Sequence, residues 1–189
     1  MFTQDMQTWL PETPAWVPAE CDVPIRGNHW FWHPADEDCL RSLDSLVVIY
    51  CRSVGHGTNL LLNIAPDDRG LLPEVDVERV LEFGMRVRHL FGVPLAETSG
   101  SGGEIVLDLP RPALVDRLVL MEDISLGGER VREYRVEALV KERWQQVAFG
   151  TAIGHKKIDL FEAVETSRLR WRSVKATARP LLRRFAVHA

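Results

Sequence analysis

The densest chemistry-bearing stretch of this 189-residue sequence runs from Trp16 to His33. Glu20, Asp22, Arg26, His29 and His33 lie there among Trp16, Trp30, Phe31 and Trp32. That mixture suits a sugar. Aromatic faces pack on the C–H groups of a sugar ring, while carboxylate, guanidinium and imidazole bind hydroxyls in forked hydrogen bonds. The same residues also suit a packed Trp-rich core with Glu20 and Arg26 as a structural ion pair. A further candidate is Asn63, which with Asn59 brackets the run Leu60-Leu61-Leu62. In a parallel sheet the C-terminal end of a strand faces the ligand cleft, though an Asn there also caps loops.

Elsewhere the chemistry is thinner. Gly100, Gly102 and Gly103 lack the strand–glycine–lysine–helix pattern of a phosphate loop. Gly154-His155-Lys156-Lys157 reads as a solvated turn, and the alternating Arg168, Arg170 and Arg172 as a solvated sheet face. There is no Gly-x-Ser-x-Gly motif, no metal-spaced His pair and no Ser/His/Asp set, so neither a metal nor a cofactor is expected.

The elements that must position these residues fall into two groups. In the first part, Asp36 opens a helical segment running to about Ser53, with Leu40, Leu43, Leu46, Val47 and Tyr50 recurring at three- and four-residue spacing. Asp36, Glu37 and Asp38 suit its positive start. Asn59 to Ile64 is a continuous apolar run that reads as a buried parallel strand. A second helix spans about Glu74 to Phe91. Helix, strand, loop and helix in this order indicate an α/β fragment. In the second part seven strands fit: 104–109, 115–122, 132–140, 143–152, 156–161, 167–174 and 181–187. Their roughly ten-residue spacing is that of an antiparallel β-sandwich. Between the two parts, AETSGSGG at 96–103 reads as a linker.

Composition bounds the answer. With 46% hydrophobic and 26% charged residues and six Trp, the chain is not disordered. Residues 1–92 hold 7 Lys+Arg and 14 Asp+Glu, a net of −7; residues 93–189 hold 16 and 13, a net of +3. This split marks two modules, and the small positive excess argues against nucleic acid. No run of eighteen apolar residues suggests a membrane span. The start MFTQDMQTWLPETP lacks the basic and apolar regions of a signal peptide. Three Cys without a CxxC pair read as buried thiols. A whole (β/α)8 barrel needs roughly 200–250 residues, more than this chain offers beside a sandwich.

Several of these segments together resemble the α-L-fucosidases of glycoside hydrolase family 29. They are Trp16-Val-Pro-Ala-Glu-Cys-Asp-Val23, Ile25-Arg26, Trp30-Phe-Trp-His-Pro34, Tyr50-Cys-Arg-Ser-Val-Gly55, and Asn59-Leu-Leu-Leu-Asn-Ile-Ala-Pro-Asp67 with Gly70-Leu71. The resemblance is closest to the branch preferring fucose in branched α-1,3 or α-1,4 linkages. Phe149-Gly-Thr-Ala-Ile-Gly-His-Lys-Lys-Ile-Asp159, Arg168-Leu-Arg170 and Pro180 before Arg184-Phe185 are similar to that family's discoidin-like sandwich. The sequence departs from the family at Pro24-Ile-Arg-Gly-Asn-His29, where Ser-Ile-Arg-Pro-Gly is common.

The resemblance implies the end of a (β/α)8 barrel (1–95), a linker (96–103) and a β-sandwich (104–189). It implies a retaining glycosidase in which an Asp nucleophile and a Glu acid/base act in turn. The family's Trp-x-Asp-Gly-Ala nucleophile motif is absent here and its acid/base lies upstream, so no catalytic carboxylate is assigned and the chain alone is expected to be inactive. Trp30 maps to the fucose pocket, against the sugar's C5-methyl side. Glu20, Asp22, Arg26 and His33 map near the pocket and its rim, while Asn63 stays a candidate by its place at the strand end. The implied partner is a fucosylated oligosaccharide; the missing barrel part is either lost by truncation or supplied by an N-terminal barrel polypeptide that completes the site. The family suggests a secreted, periplasmic or lysosomal setting. The alternative is a noncatalytic carbohydrate-binding or interaction module.

Overall fold

The computed structural model describes residues 19–189. Trp16 and the rest of 1–18 lie outside the described residues, including the start of the Trp-Val-Pro-Ala-Glu motif. The first part is a β-α-β-α unit. Strand β1 (Glu20–Pro24) pairs in parallel with β2 (Asn59–Asn63), and α1 (Leu43–Arg52) crosses between them. After β2 the chain enters α2 (Glu74–Phe91).

Helix α1 begins later than the periodicity predicts. A 3-10 turn covers Glu37–Cys39, and the helix proper starts where the Ser42 hydroxyl accepts the Ser45 N–H. Helix α2 matches its predicted span. Strand β2 is parallel as expected but not buried: Leu61 is 55% exposed, and among the described residues β2 pairs with β1 alone.

The second part is a six-stranded antiparallel arrangement. It comprises β3 (Ala96–Ser101), β4 (Glu104–Glu122), β5 (Val131–Val140), β6 (Arg143–Gly150), β7 (Lys157–Ala176) and β8 (Leu181–His188), in the order β3-β8-β4-β7-β5-β6. A four-residue helix, α3 (Ile124–Gly127), follows β4. Two pairs of strands expected as separate are fused into the long β4 and β7. These pair along their length, with a register break between Asp108 and Ala113 where Pro110 and Pro112 interrupt the ladder. The outer half of β4 and the C-terminal half of β7 continue into β5 and β6. The inner half of β4 joins β8 and β3.

Side chains from both halves meet in one core. Leu107, Val136, Leu169 and Trp171 come from one layer, and Leu118, Leu120, Phe185 and Val187 from the other. This is the β-sandwich. The segment read as a linker is a correction: residues 96–101 form β3, held to β8 by backbone hydrogen bonds that ignore side-chain composition.

The alternate residues Val119, Ile158 and Ala186 point the other way and pack on Cys51 and Phe91 of the helices. This second buried face explains why Arg117-Leu-Val-Leu-Met121 is apolar almost throughout. The supposed solvated turn at Gly154–Lys157 also belongs to this junction. Lys156 Nζ donates to the Tyr50 hydroxyl at 2.9 Å, and Lys157 Nζ lies 2.9 Å from His56 Nε2.

At the same junction, Gly55 approaches β7 so closely that a Cβ would stand 2.9 Å from Ile158 Cβ. Gly55→Val is expected to destabilise the chain by about 1–3 kcal/mol through overpacking. Thermal unfolding reads this, and an unchanged midpoint would show that the junction yields freely.

Candidate functional site

The site is built where β1 and β2 end. Pro24 leads into buried Ile25 and Arg26, and the Ile25 N–H donates to the Asn63 carbonyl at 3.0 Å, holding the two strand ends together. A tight turn follows, with Gly27 at φ +50° and the His29 N–H bonded to the Arg26 carbonyl at 2.8 Å. The turn delivers Trp30, whose carbonyl accepts from Asn63 Nδ2 at 3.0 Å while the residue stays 48% exposed. Asn63 thus fixes the aromatic loop. His33 is exposed, its ring edge-on to His29 with centroids 5.6 Å apart.

Arg26 is not paired with Glu20. Its Nε donates to both Asp76 carboxylate oxygens at 3.0 Å, and its Nη1 donates to Asp36 Oδ1. Nη2 lies 2.9 Å from Asp76 Oδ1, close enough to attract by charge but without the alignment of a hydrogen bond. All three side chains are buried. With Nε and Nη1 held by two carboxylates and only 4% of the residue exposed, Arg26 is turned into this cluster rather than towards solvent. Burial pushes the Asp36 carboxyl up, but hydrogen bonds from His29 and Arg26 outweigh it and hold it below the usual carboxylate range. The His29 Nδ1 is 3.1 Å from Asp36 Oδ2.

Glu20 and Asp22 are not brought to this end. They are exposed on β1, opposite Asn59 and Leu61, with Glu20 at the far end of the strand. Four residues of strand place Glu20 about 13 Å before Pro24. The structure therefore gathers Arg26, Trp30, His33 and Asn63, and leaves Glu20 and Asp22 down the strand.

Sequence reasoning missed Asp36 and Asp76 as partners of Arg26. Asp36 carried the signal of a helix start, and Asp76 is 50 residues from Arg26, where no periodicity links them. Between these side chains lies only a crevice of about 10 Å³, lined by Arg26, His29, Phe31, Trp32, Asn63 and Asp76 among others. That is too small for a sugar ring. A cleft of about 690 Å³ lies at the opposite end of β2, beside Thr58, Asn59, Asp123, Glu129, His155 and Arg183. It holds none of the six residues expected to bind the sugar, though Asn59 and His155, both noted in the sequence, line it. Among the described residues there is no cluster fit for a metal ion, and no helix is long and apolar enough to cross a membrane.

Comparison with known proteins bears on the sequence and the fold. The family model described as Alpha-L-fucosidase matches residues 2–89. Alpha-L-fucosidase 1 of Arabidopsis thaliana is 30% identical, the match covering 88% of this chain and 40% of the relative. A rice (Oryza sativa subsp. japonica) relative of the same name is 32% identical, over 91% of this chain and 39% of its own length. Among solved structures, an α-L-fucosidase from Bacteroides thetaiotaomicron superposes with a TM-score of 0.89 at 37% identity, covering 92% of this chain and 41% of its own. A glycoside hydrolase 29 family member from a rumen bacterium gives 0.83 at 31% identity, covering 95% and 34%. The chain spans about two fifths of the length of the curated relatives it matches. Sequence and fold together match the C-terminal region of the α-L-fucosidases of glycoside hydrolase family 29.

Proposed function

We propose that this region acts as one wall of a retaining α-L-fucosidase that releases α-linked L-fucose from glycans. The observation that carries the reading is the half-exposed Trp30, presented at the ends of two parallel strands in a chain matching this family. Its ring packs on the apolar side of the sugar, with His33 and Asn63 at the rim and Arg26 fixing the turn behind it. Glu20 and Asp22, exposed further down β1, have no part in this wall.

The β-α-β-α unit, residues 1–95, then represents the closing units of a (β/α)8 barrel, followed by the sandwich. A parallel sheet is normally covered on both faces and a two-stranded sheet is marginal alone. The exposure of Leu61, Leu81 and Met85 supports a sheet completed by further strands and helices. The nucleophile and the acid/base come from that completing part, because no residue of this chain matches the family's nucleophile motif. The module alternative loses support on the sandwich face. Arg168, Arg170 and Arg172 are paired with Asp108, Glu137 and Glu104, and Arg170 lies over the Trp144 ring, 4.2 Å from its centroid.

Hydrolysis of 4-nitrophenyl α-L-fucoside tests the reading. The chain alone is expected to give no turnover; co-expressed with a polypeptide supplying the N-terminal barrel part, it is expected to give turnover. In that assembly Trp30→Ala is expected to raise KM about tenfold or more, as loss of a buried aromatic contact does. Turnover by the chain alone, or an assembly that neither binds nor cleaves fucosides, overturns it.

A further inference from the structure

Trp30 has no regular element and little packing to hold it: it lies in the loop after β1 with half its surface free. Its backbone is tethered on one side by Asn63 and on the other by the Arg26–His29 turn. Arg26 is itself gripped by carboxylates from two other elements, Asp36 at the 3-10 turn and Asp76 in the first turn of α2. Asp76 is 1% exposed and Arg26 4%. Forked arginine–carboxylate pairing fixes direction as well as distance, and a buried arginine robbed of one carboxylate seeks another partner or water.

From this we infer that Asp76 and Asp36 are positioning residues: acting through Arg26, they set the orientation in which the Trp30 ring is presented. The inference rests on Trp30 being the aromatic wall of the sugar site. It adds that α2, which carries no residue of that wall, governs it.

The 189-residue chain without sugar is the test sample. Its ¹H–¹⁵N spectrum gives an indole signal for each Trp, and Trp30→Phe identifies that of Trp30. Asp76→Asn keeps the shape of the side chain and removes its charge. The expected result is a Trp30 signal that shifts or broadens away while the signal of Trp171, buried in the sandwich core, stays in place. A merely structural role would lower the melting temperature and leave the Trp30 signal of the folded chain unmoved, which overturns the inference. If Asp76→Asn also displaces Trp171, the chain has lost its fold and Asp36→Asn decides. A selective Trp30 shift in that variant supports the inference, and none overturns it. Because this experiment reads the ring without sugar, it can fail while the fucoside test succeeds, and the reverse.

Discussion

Replacing Glu122 with leucine is expected to lower the melting temperature of the chain by about 6–12 °C, the effect of roughly 3 kcal/mol on a chain of this size. Glu122 ends β4 and is 1% exposed. Its Oε1 accepts the backbone N–H of Arg130 at 2.8 Å and of Val131 at 3.0 Å, and its Oε2 accepts that of Gly154 at 3.1 Å. One carboxylate thereby ties the loop before β5 and the loop before β7 to the end of β4. Leucine leaves three donors unanswered, each costing about 1–3 kcal/mol where water cannot replace the lost acceptor. Glutamine is the graded control. Its amide oxygen still serves Arg130 and Val131, but its NH₂ opposes the Gly154 N–H, so a smaller loss is expected. Equal melting temperatures for wild type and Glu122→Leu would mean that solvent takes over all three bonds.

The second large effect is acid sensitivity centred on His188. This side chain is 2% exposed, its Nε2 has no hydrogen-bond partner, and its ring stands edge-on to Phe91 with centroids 6.2 Å apart. Burial lowers its pKa to about 4, with Arg184 and Arg117 adding repulsion. Above about pH 6.5 the imidazole is neutral in both folded and unfolded chains and costs nothing. As pH falls from there towards 4, the unfolded chain takes up a proton that the folded chain refuses, so stability falls with pH. The loss is about 2 kcal/mol by pH 5 and approaches about 3 kcal/mol at pH 4. Asp36, whose carboxyl is held low, contributes stability that disappears only as pH falls below the ordinary carboxylate range, so its window lies lower. Urea unfolding at pH 7 and pH 5, compared between wild type and His188→Leu, measures the effect. The variant is expected to lose most of the pH 7 to pH 5 difference; an undiminished difference would assign the acid sensitivity to other groups.

What the sequence made legible was whatever rests on side-chain periodicity. Helix α2 could be bounded because Val77, Val80, Leu81 and Met85 recur at helical spacing, and the sandwich because alternation runs through residues such as Arg168-Leu-Arg-Trp-Arg172. Strand β3 was illegible for the opposite reason. Ala96–Ser101 is small and polar, and what makes it a strand is the backbone ladder with β8, which no composition announces. The fusion of strands into β4 was hidden by Pro110 and Pro112, which punctuate the sequence but only shift the register of the ladder. At the site, Trp30 was named by the family resemblance and Asn63 by its place at a strand end, and one hydrogen bond sets the two side by side. The Arg26 cluster was not foreseen, because an ion pair across 50 residues leaves no local trace and the acidic run at Asp36 had a local explanation of its own. His188, near the end of a strand, carried no signal at all; its burial on both sides follows from β8 lying between the helices and the sandwich core.

The place of β8 has a consequence for how the molecule comes to exist. Ribosomes deliver it after every other element described, yet it lies in the interior of the sheet, between β3 and β4, and contributes Phe185 and Val187 to one core and Ala186 to the other. Until residues 181–188 emerge, the nascent chain holds a strand-wide slot with both walls unpaired and two apolar surfaces uncovered. The emergence of β8 is therefore the step that closes the sheet, and the growing chain is most open to aggregation and to chaperone binding just before it.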